Sequence, residues 1–234
     1  MKNQGLVIVI TGASSGIGRN AAIELSKNNH KLFLMGRNEE RLKEVQKNCV
    51  KNGSETFYHF GDIADETTVE EQFNSVMKTF GTIDVLFANA GVGFFGHLED
   101  ITIEQYDKQF STNVRGVFLW LKKVLPIMKE KNSGQIIVTS SNLGLHTGGK
   151  ASIYSATKHA VQAMIGSLRD ELKGTNVKAA TINPGSVDTP WFNGKNVNRE
   201  KMLQPNDVVQ AIKLIIDQSE TSNIDHILLL PGKP

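Results

Sequence analysis

Leu6-Val7-Ile8-Val9-Ile10-Thr11-Gly12-Ala13-Ser14-Ser15-Gly16-Ile17-Gly18 runs from an apolar segment straight into a glycine-rich turn. The apolar run, Leu6 to Ile10, is too short for a signal-peptide core or a membrane span, and it reads as a buried first strand. The glycines fall at G-x-x-x-G-x-G, a different spacing from the G-x-G-x-x-G of other dinucleotide folds. Glycine at these positions permits tight turns and close approach of backbone to a diphosphate, whose charge meets the N-terminus of the following helix. A ligand-free glycine turn between strand and helix would share the pattern, so the rest of the chain must decide between the two readings. Gly12, Ser14, Ser15, Gly16, Ile17 and Gly18 are the first candidate contacts.

Outward from that turn, short apolar runs alternate with amphipathic segments, the rhythm of βαβ units around a parallel sheet. Strands are expected at 6–10, 32–36, 56–60, 83–88, 135–140, 177–182 and 226–230. Helices are expected at about 16–28, 38–51, 66–80, 102–130 (as two), 152–173 and 206–218. No internal repeat, low-complexity tract or linker interrupts them, so residues 1–234 are expected to form one domain. The fold class is α/β: a doubly wound, Rossmann-type parallel sheet of about seven strands with helices on both faces. Such sheets bind ligands beyond the carboxyl ends of their strands, where strand order reverses. The polar candidates collect there: Gly12–Gly18 after the first strand, Asp62 after the third, Asn89–Gly91 after the fourth, Ser141 after the fifth and Pro184-Gly185 after the sixth.

Hydrophobic content of 39% and charged content of 21% are those of a soluble globular protein. Lys and Arg number 26 against 24 Asp and Glu, a balance that gives no reason to expect nucleic acid or a membrane as partner. Cys49 is the single cysteine, which excludes an intrachain disulfide and fits a bystander thiol in a reducing compartment, so a cytoplasmic location is expected. The six histidines form no H-x-x-x-H or H-E-x-x-H pattern, and no G-x-S-x-G surrounds Ser141. No metal is expected.

Tyr154-Ser155-Ala156-Thr157-Lys158 sets a phenol and an ammonium at i and i+4, on one face of a helix. Reduction of a ketone needs a proton for the developing alkoxide, and free tyrosine, with a pKa near 10, matches pH 7 poorly. A cation one turn away is expected to favour phenolate and lower that pKa. Tyr154 is the candidate general acid and base. Ser141, thirteen residues earlier, is the candidate hydrogen-bond partner of the substrate oxygen, with Ser140 as the alternative.

Cofactor selectivity is read at the end of the second strand, where an acid about 20 residues after the glycines would bind a ribose 2′-hydroxyl. Leu34-Met35-Gly36-Arg37-Asn38 has glycine at that position and arginine after it. A missing carboxylate removes repulsion, and a guanidinium grips a 2′-phosphate through two hydrogen bonds. NADP(H) is therefore expected over NAD(H). The other reading makes Arg37 a solvated residue in the first turn of the next helix.

The chain resembles the short-chain dehydrogenase/reductase family over nearly its whole length, through TGASSGIG at 11–18, GDIAD at 61–65, ANAG at 88–91, Asn113, Ser141, YSATK at 154–158 and NPGSVDTP at 183–190. The resemblance implies a catalytic set of Asn113, Ser141, Tyr154 and Lys158, with Asn113 helping to hold a water beside the lysine. By propensity alone Asn113 is a helix-boundary residue. It further implies that Asp62 and Ile63 flank the adenine and that Asn89, Ala90 and Gly91 line the adenine-ribose side, Asn89 also serving as a cap on its strand. Pro184, Gly185, Val187 and Thr189 look like the segment holding the nicotinamide carboxamide, and Tyr154 and Lys158 are expected at the nicotinamide ribose.

Three segments are expected to enclose the substrate: Val92–His97, Leu143–Lys150 and the loop at about 186–204. Phe94, Phe95, Leu143, Trp191, Phe192 and Met202 lend them apolar character, His146 could reach a polar substituent, and some of these residues will belong to the core instead. The implied activity is reduction of a small to medium organic carbonyl by NADPH, or its reverse. A 3-oxoacyl-carrier-protein reductase is an alternative, although the chain closes with Ile227-Leu228-Leu229-Leu230-Pro231-Gly232-Lys233-Pro234, has a compact 186–204 loop, and offers only Lys129, Lys131, Lys150 and Lys195 as a basic rim. A catalytically silent nucleotide-sensing protein is the alternative of another class. The resemblance also implies a homodimer or homotetramer, with Leu119, Trp120, Ile165 and Leu168 as candidates for a helical subunit contact.

Overall fold

The computed structural model describes residues 5–232, and Lys233 and Pro234, with which the C-terminal segment ends, lie outside the described residues. Seven parallel strands form one sheet: β1 (Val7–Thr11), β2 (Lys31–Gly36), β3 (Thr56–Phe60), β4 (Val85–Ala88), β5 (Gly134–Thr139), β6 (Val177–Pro184) and β7 (His226–Leu229). Their order is β3-β2-β1-β4-β5-β6-β7, so the chain reverses its winding between β1 and β4. Crossovers are α1 (Gly16–Ser26), α2 (Glu39–Lys51), α3 (Glu66–Phe80), α4 (Ile103–Phe110), α5 (Gly116–Glu130), α6 (Ser152–Glu171) and α7 (Pro205–Ile216).

The period of two in a strand divides each apolar run between two cores. Ile8 and Ile10 of β1, Leu32 and Leu34 of β2, and Val85 and Phe87 of β4 pack against α1, α2 and α7, through residues such as Ala22, Leu25, Val45 and Ile212. Val9, Phe33, Met35 and Leu86 point the other way, against α3, α5 and α6, where Val76, Trp120, Val124 and Ile165 meet them. Every residue of β1 is buried. Truncating Ile8 or Ile10 to alanine would cost about 2–5 kcal/mol through lost apolar contact and the cavity left behind.

The helix ends follow local chemistry. The side chain of Asp65 accepts from Thr68 N at 2.7 Å at the start of α3, which stops on Gly81 in the left-handed region (φ 71°). Thr102 and Gln105 cap α4 reciprocally. The expected helix at 102–130 divides in two, but the joint is a single widened π turn, Ser111–Arg115, rather than a loop. Widened turns of this kind redirect the side chains they carry. Here one of them is Asn113.

The expected helical subunit contact needs correction: Leu119, Trp120, Ile165 and Leu168 are all within 5% of full burial inside the chain's own core. Phe118, 51% exposed, is the apolar residue that α5 turns outward. Nor does Lys131 belong to a rim at the active-site mouth, because it pairs with Asp84 at 2.7 Å, just ahead of β4 at the opposite end of the strands. No helix among the described residues is long and apolar enough to cross a membrane.

Candidate active site

A cleft of about 610 Å³ opens at the carboxyl ends of β1–β6, above the β1/β4 switch point. One wall is the glycine turn. Gly12 has φ +67°, and a Cβ on it would lie 2.8 Å from Ala90 Cα, so only glycine lets β1 and β4 approach this closely. Gly18 sits behind it, where an added Cβ would strike the Gly12 carbonyl. The result is a bare backbone cradle facing the first turn of α1, and Ser14, Ser15, Gly16 and Ile17 line it. That cradle fits a diphosphate.

Asn89 ties the strand ends together. Its N–H donates to Thr11 Oγ1 at 3.0 Å, its Nδ2 to Thr11 O at 3.2 Å, and its Oδ1 accepts from Thr139 Oγ1 at 3.1 Å. It also lines the cleft with Ala90 and Gly91, so the strand-cap and lining readings coexist.

At the far end, Gly36, Arg37, Asn38 and Arg41 line the cleft together. A Cβ on Gly36 would be 3.1 Å from Ser14 Oγ, so a carboxylate at this position would crowd the glycine turn itself. Asn38 caps α2, accepting from Arg41 N at 2.9 Å, which sets Arg37 just before the helix and Arg41 one turn along it. Sequence reasoning missed Arg41. Its signal is the i,i+4 spacing from Arg37, which needed the helix start to be interpreted. Asp62 is held by Lys108 Nζ at 2.7 Å and Ala64 N at 3.0 Å. Burial raises its pKa, but those bonds, with the charges of Lys108 and Arg37, carry it below the ordinary value. Both carboxylate oxygens are thereby engaged, and Ile63 completes this wall.

The candidate reacting centre is assembled from β4, the π turn, β5 and α6. Lys158 is buried, and its Nζ donates to Thr139 O at 2.8 Å. Ser141 Oγ accepts from Leu143 N at 3.1 Å and interacts with the Tyr154 phenol. Asn113 accepts from Val92 N at 2.8 Å and donates to Val92 O at 2.8 Å and Thr157 Oγ1 at 3.0 Å, binding the loop after β4 to the helix that carries Tyr154. Gly91 leaves a bare spot between Asn113 and Lys158: a Cβ there would stand 3.4 Å from Asn113 Oδ1 and 3.6 Å from Lys158 Nζ.

The electrostatics correct one expectation. Burial pushes the Tyr154 phenol up to about 12, with the Ser141 hydrogen bond opposing, instead of down. Burial also pulls the Lys158 ammonium down to about 8. The lysine's hydrogen bond runs to Thr139, and its Nζ stands 5.7 Å from the Tyr154 ring centroid. In this state desolvation outweighs any help the cation gives the phenolate.

Pro184, Gly185, Val187 and Thr189 line the cleft opposite the cradle, with Thr189 side-chain atoms 3.4 Å from where a Gly16 Cβ would be. Of the residues expected to enclose the substrate, Phe95, Leu143, Trp191 and Phe192 line the cleft. Phe94, His146 and Met202 do not: the Phe94 N–H is tied to Gln109 Oε1 at 3.2 Å, His146 is exposed on its loop, and Met202 sits past the far turn of the 186–204 segment. Among the described residues no His, Cys, Asp or Glu cluster could hold a metal. Cys49 is buried away from the cleft, and desolvation pushes its thiol up to about 11.

A family model described as short chain dehydrogenase matches residues 6–200. The chain belongs to the short-chain dehydrogenase family. An uncharacterized oxidoreductase of Staphylococcus epidermidis is 32% identical over 225 residues, 96% of each chain. Among solved structures, an alcohol dehydrogenase from the archaeon Thermococcus sibiricus, complexed with 5-hydroxy-NADP, is 29% identical with a TM-score of 0.92, over 99% of this chain and 98% of that one. A 3-ketoacyl-(acyl-carrier-protein) reductase from Brucella melitensis, complexed with NADH, is 25% identical with a TM-score of 0.91, over 98% of each chain.

Proposed function

We propose that the protein is an NADPH-dependent reductase of small to medium organic carbonyl compounds, able to run in reverse as an alcohol dehydrogenase. The observation that carries this reading is the convergence of the Tyr154 phenol, Ser141 Oγ and the Lys158 ammonium at the end of β5, beside a glycine cradle at the sheet's switch point. The cradle of Gly12–Gly18 would hold the diphosphate, Arg37 and Arg41 a 2′-phosphate, Tyr154 and Lys158 the nicotinamide ribose, and Pro184–Thr189 the carboxamide. The coenzyme, when bound, supplies or accepts a hydride.

The chain's own residues do the rest. Ser141 Oγ orients the substrate oxygen and stabilises the charge that develops on it. Tyr154 gives its phenolic proton to that oxygen, and a phenol kept neutral by burial is stocked for this donation. Lys158 places a positive charge next to the phenolate left behind, and Asn113 fixes the loop and helix that frame the bare spot over Gly91. Phe95 and Trp191 pack against the Tyr154 ring and limit water there.

The preference for NADPH is supported by two guanidinium groups at the adenosine end and by the absence of an acid at Gly36, where an added Cβ would press on Ser14 Oγ at 3.1 Å. Similarity to the Brucella carrier-protein reductase supports a second assay, since acyl thioesters would enter the same cleft. A silent nucleotide sensor accords poorly with a site that keeps Asn113, Ser141, Tyr154 and Lys158 together. A panel of ketones, hydroxy acids and acyl thioesters, followed by loss of NADPH absorbance, tests the reading. Turnover of an uncharged ketone is expected, and coenzyme binding without turnover of any class would overturn it.

A further inference from the structure

The segment from Ser186 to Gln204 closes on itself at the neck. Val187 pairs with Leu203, Asp188 N donates to Leu203 O at 2.8 Å, and Leu203 N donates to Ser186 O at 2.9 Å. Arg199 bridges Asp188 and Asn193. These bonds fix the base of the loop and, through Asn193, one point of its tip, Pro190 to Lys195, whose Trp191 ring meets Phe95 across the cleft with centroids 6.5 Å apart.

The tip presents Trp191 and Phe192 to the cleft. Facing them on the opposite bank is Phe95, on a loop pinned by Gly96 N donating to Lys150 O at 2.9 Å. Phe95 and Trp191 flank the Tyr154 ring with centroids 5.2 and 5.8 Å away. The Lys195 ammonium stands 5.0 Å from the Phe95 centroid, 5.4 Å from Phe192 and 5.8 Å from Trp191. One cation thus engages rings from both banks. An ammonium within about 6 Å of a ring centroid is drawn to the face by the ring quadrupole, more strongly as water is excluded.

We propose that Lys195 is a positioning residue that clamps the tip of the 186–204 loop to Phe95 and so sets the aromatic roof over Tyr154. With those ring faces taken by the chain's own ammonium, the roofed site selects uncharged, apolar carbonyl compounds. The kinetic part of this inference rests on Tyr154 being the proton donor, whereas the structural part does not.

Lys195→Gln and Lys195→Arg separate the possibilities, because the residue is exposed and guanidinium also stacks on aromatic faces. Trp120 is fully buried, so a change in indole emission reports Trp191. Lys195→Gln is expected to shift that emission to the red and to raise acrylamide quenching about twofold, with Lys195→Arg restoring both. The KM for acetophenone is expected to rise about tenfold in Lys195→Gln at nearly unchanged kcat, and to recover in Lys195→Arg. Unchanged emission and quenching in Lys195→Gln, or failure of Lys195→Arg to restore them, would overturn the clamp. If the unaltered protein reduces no ketone, the activity reading fails and the fluorescence comparison alone decides the clamp.

Discussion

Lys158 Nζ donates to the backbone carbonyl of Thr139 at 2.8 Å, fastening α6 to the end of β5 where Ser141 begins the next turn. The ammonium is held within the protein and shares no ion pair with a carboxylate among the described residues. Burial takes it from 10.5 to about 8, which corresponds to ~3 kcal/mol of penalty on the charged form.

Lys158→Met is therefore expected to stabilise the fold while abolishing turnover. The sign follows from linkage. The folded pKa lies below the unfolded one, so the unfolded chain binds more protons between about 8 and 10.5, and stability rises with pH across that window. The gain in melting temperature on Lys158→Met should be largest at pH 6–7 and shrink towards pH 10, as read by calorimetry across pH.

The pH dependence of reduction follows from the same pair. With the phenol at about 12, Tyr154 keeps its proton through the working range, and the group that titrates is Lys158 at about 8. The kcat/KM for ketone reduction should be level below pH 8 and fall above it as the ammonium discharges. Lys158→Arg, whose charge persists, should lose that alkaline limb even if its rate is low.

Coenzyme choice should track Arg37 and Arg41. Arg37→Ala is expected to raise the KM for NADPH by about tenfold or more and leave that for NADH nearly unchanged, since each charge-assisted bond to phosphate contributes roughly 1.5–3 kcal/mol. Arg41→Ala should act in the same direction. Gly36→Asp alone should weaken both coenzymes, because its side chain meets Ser14; combined with Ser14→Gly it should favour NADH. Preference of the unaltered protein for NADH would remove this assignment.

Asn113→Ala should destabilise the protein by about 1–3 kcal/mol in urea unfolding, because it leaves the half-buried Val92 N–H and C=O without their partner.

Most of the sheet could be read from β1, β2 and β5, where continuous apolar runs between glycine and polar punctuation leave no other interpretation. Element ends moved by a residue or two: β4 begins at Val85, one residue after Asp84, whose carboxylate accepts from Val7 N at 2.8 Å, and β6 runs on to Pro184. The glycine cradle, Ser141, Tyr154 and Lys158 were legible as spacing. The π turn at Asn113 was not, since helical periodicity does not signal an added residue in a turn. Burial of Leu119 and Trp120 was likewise hidden, because a helix with apolar residues on several faces reads alike whether sheet or a second subunit covers it. The sign of the Tyr154 shift needed three dimensions: i,i+4 spacing places the lysine near, but Thr139 captures its hydrogen and Phe95 and Trp191 cover the phenol.

Tyr154→Phe tests the central claim most directly, because it removes one oxygen and little packing. With NADPH and any ketone that the unaltered protein reduces, kcat/KM should fall about 10³-fold, while the Kd for NADPH by fluorescence titration changes by less than about threefold. Activity within a few fold of the unaltered protein would contradict the assignment of Tyr154 as the proton donor.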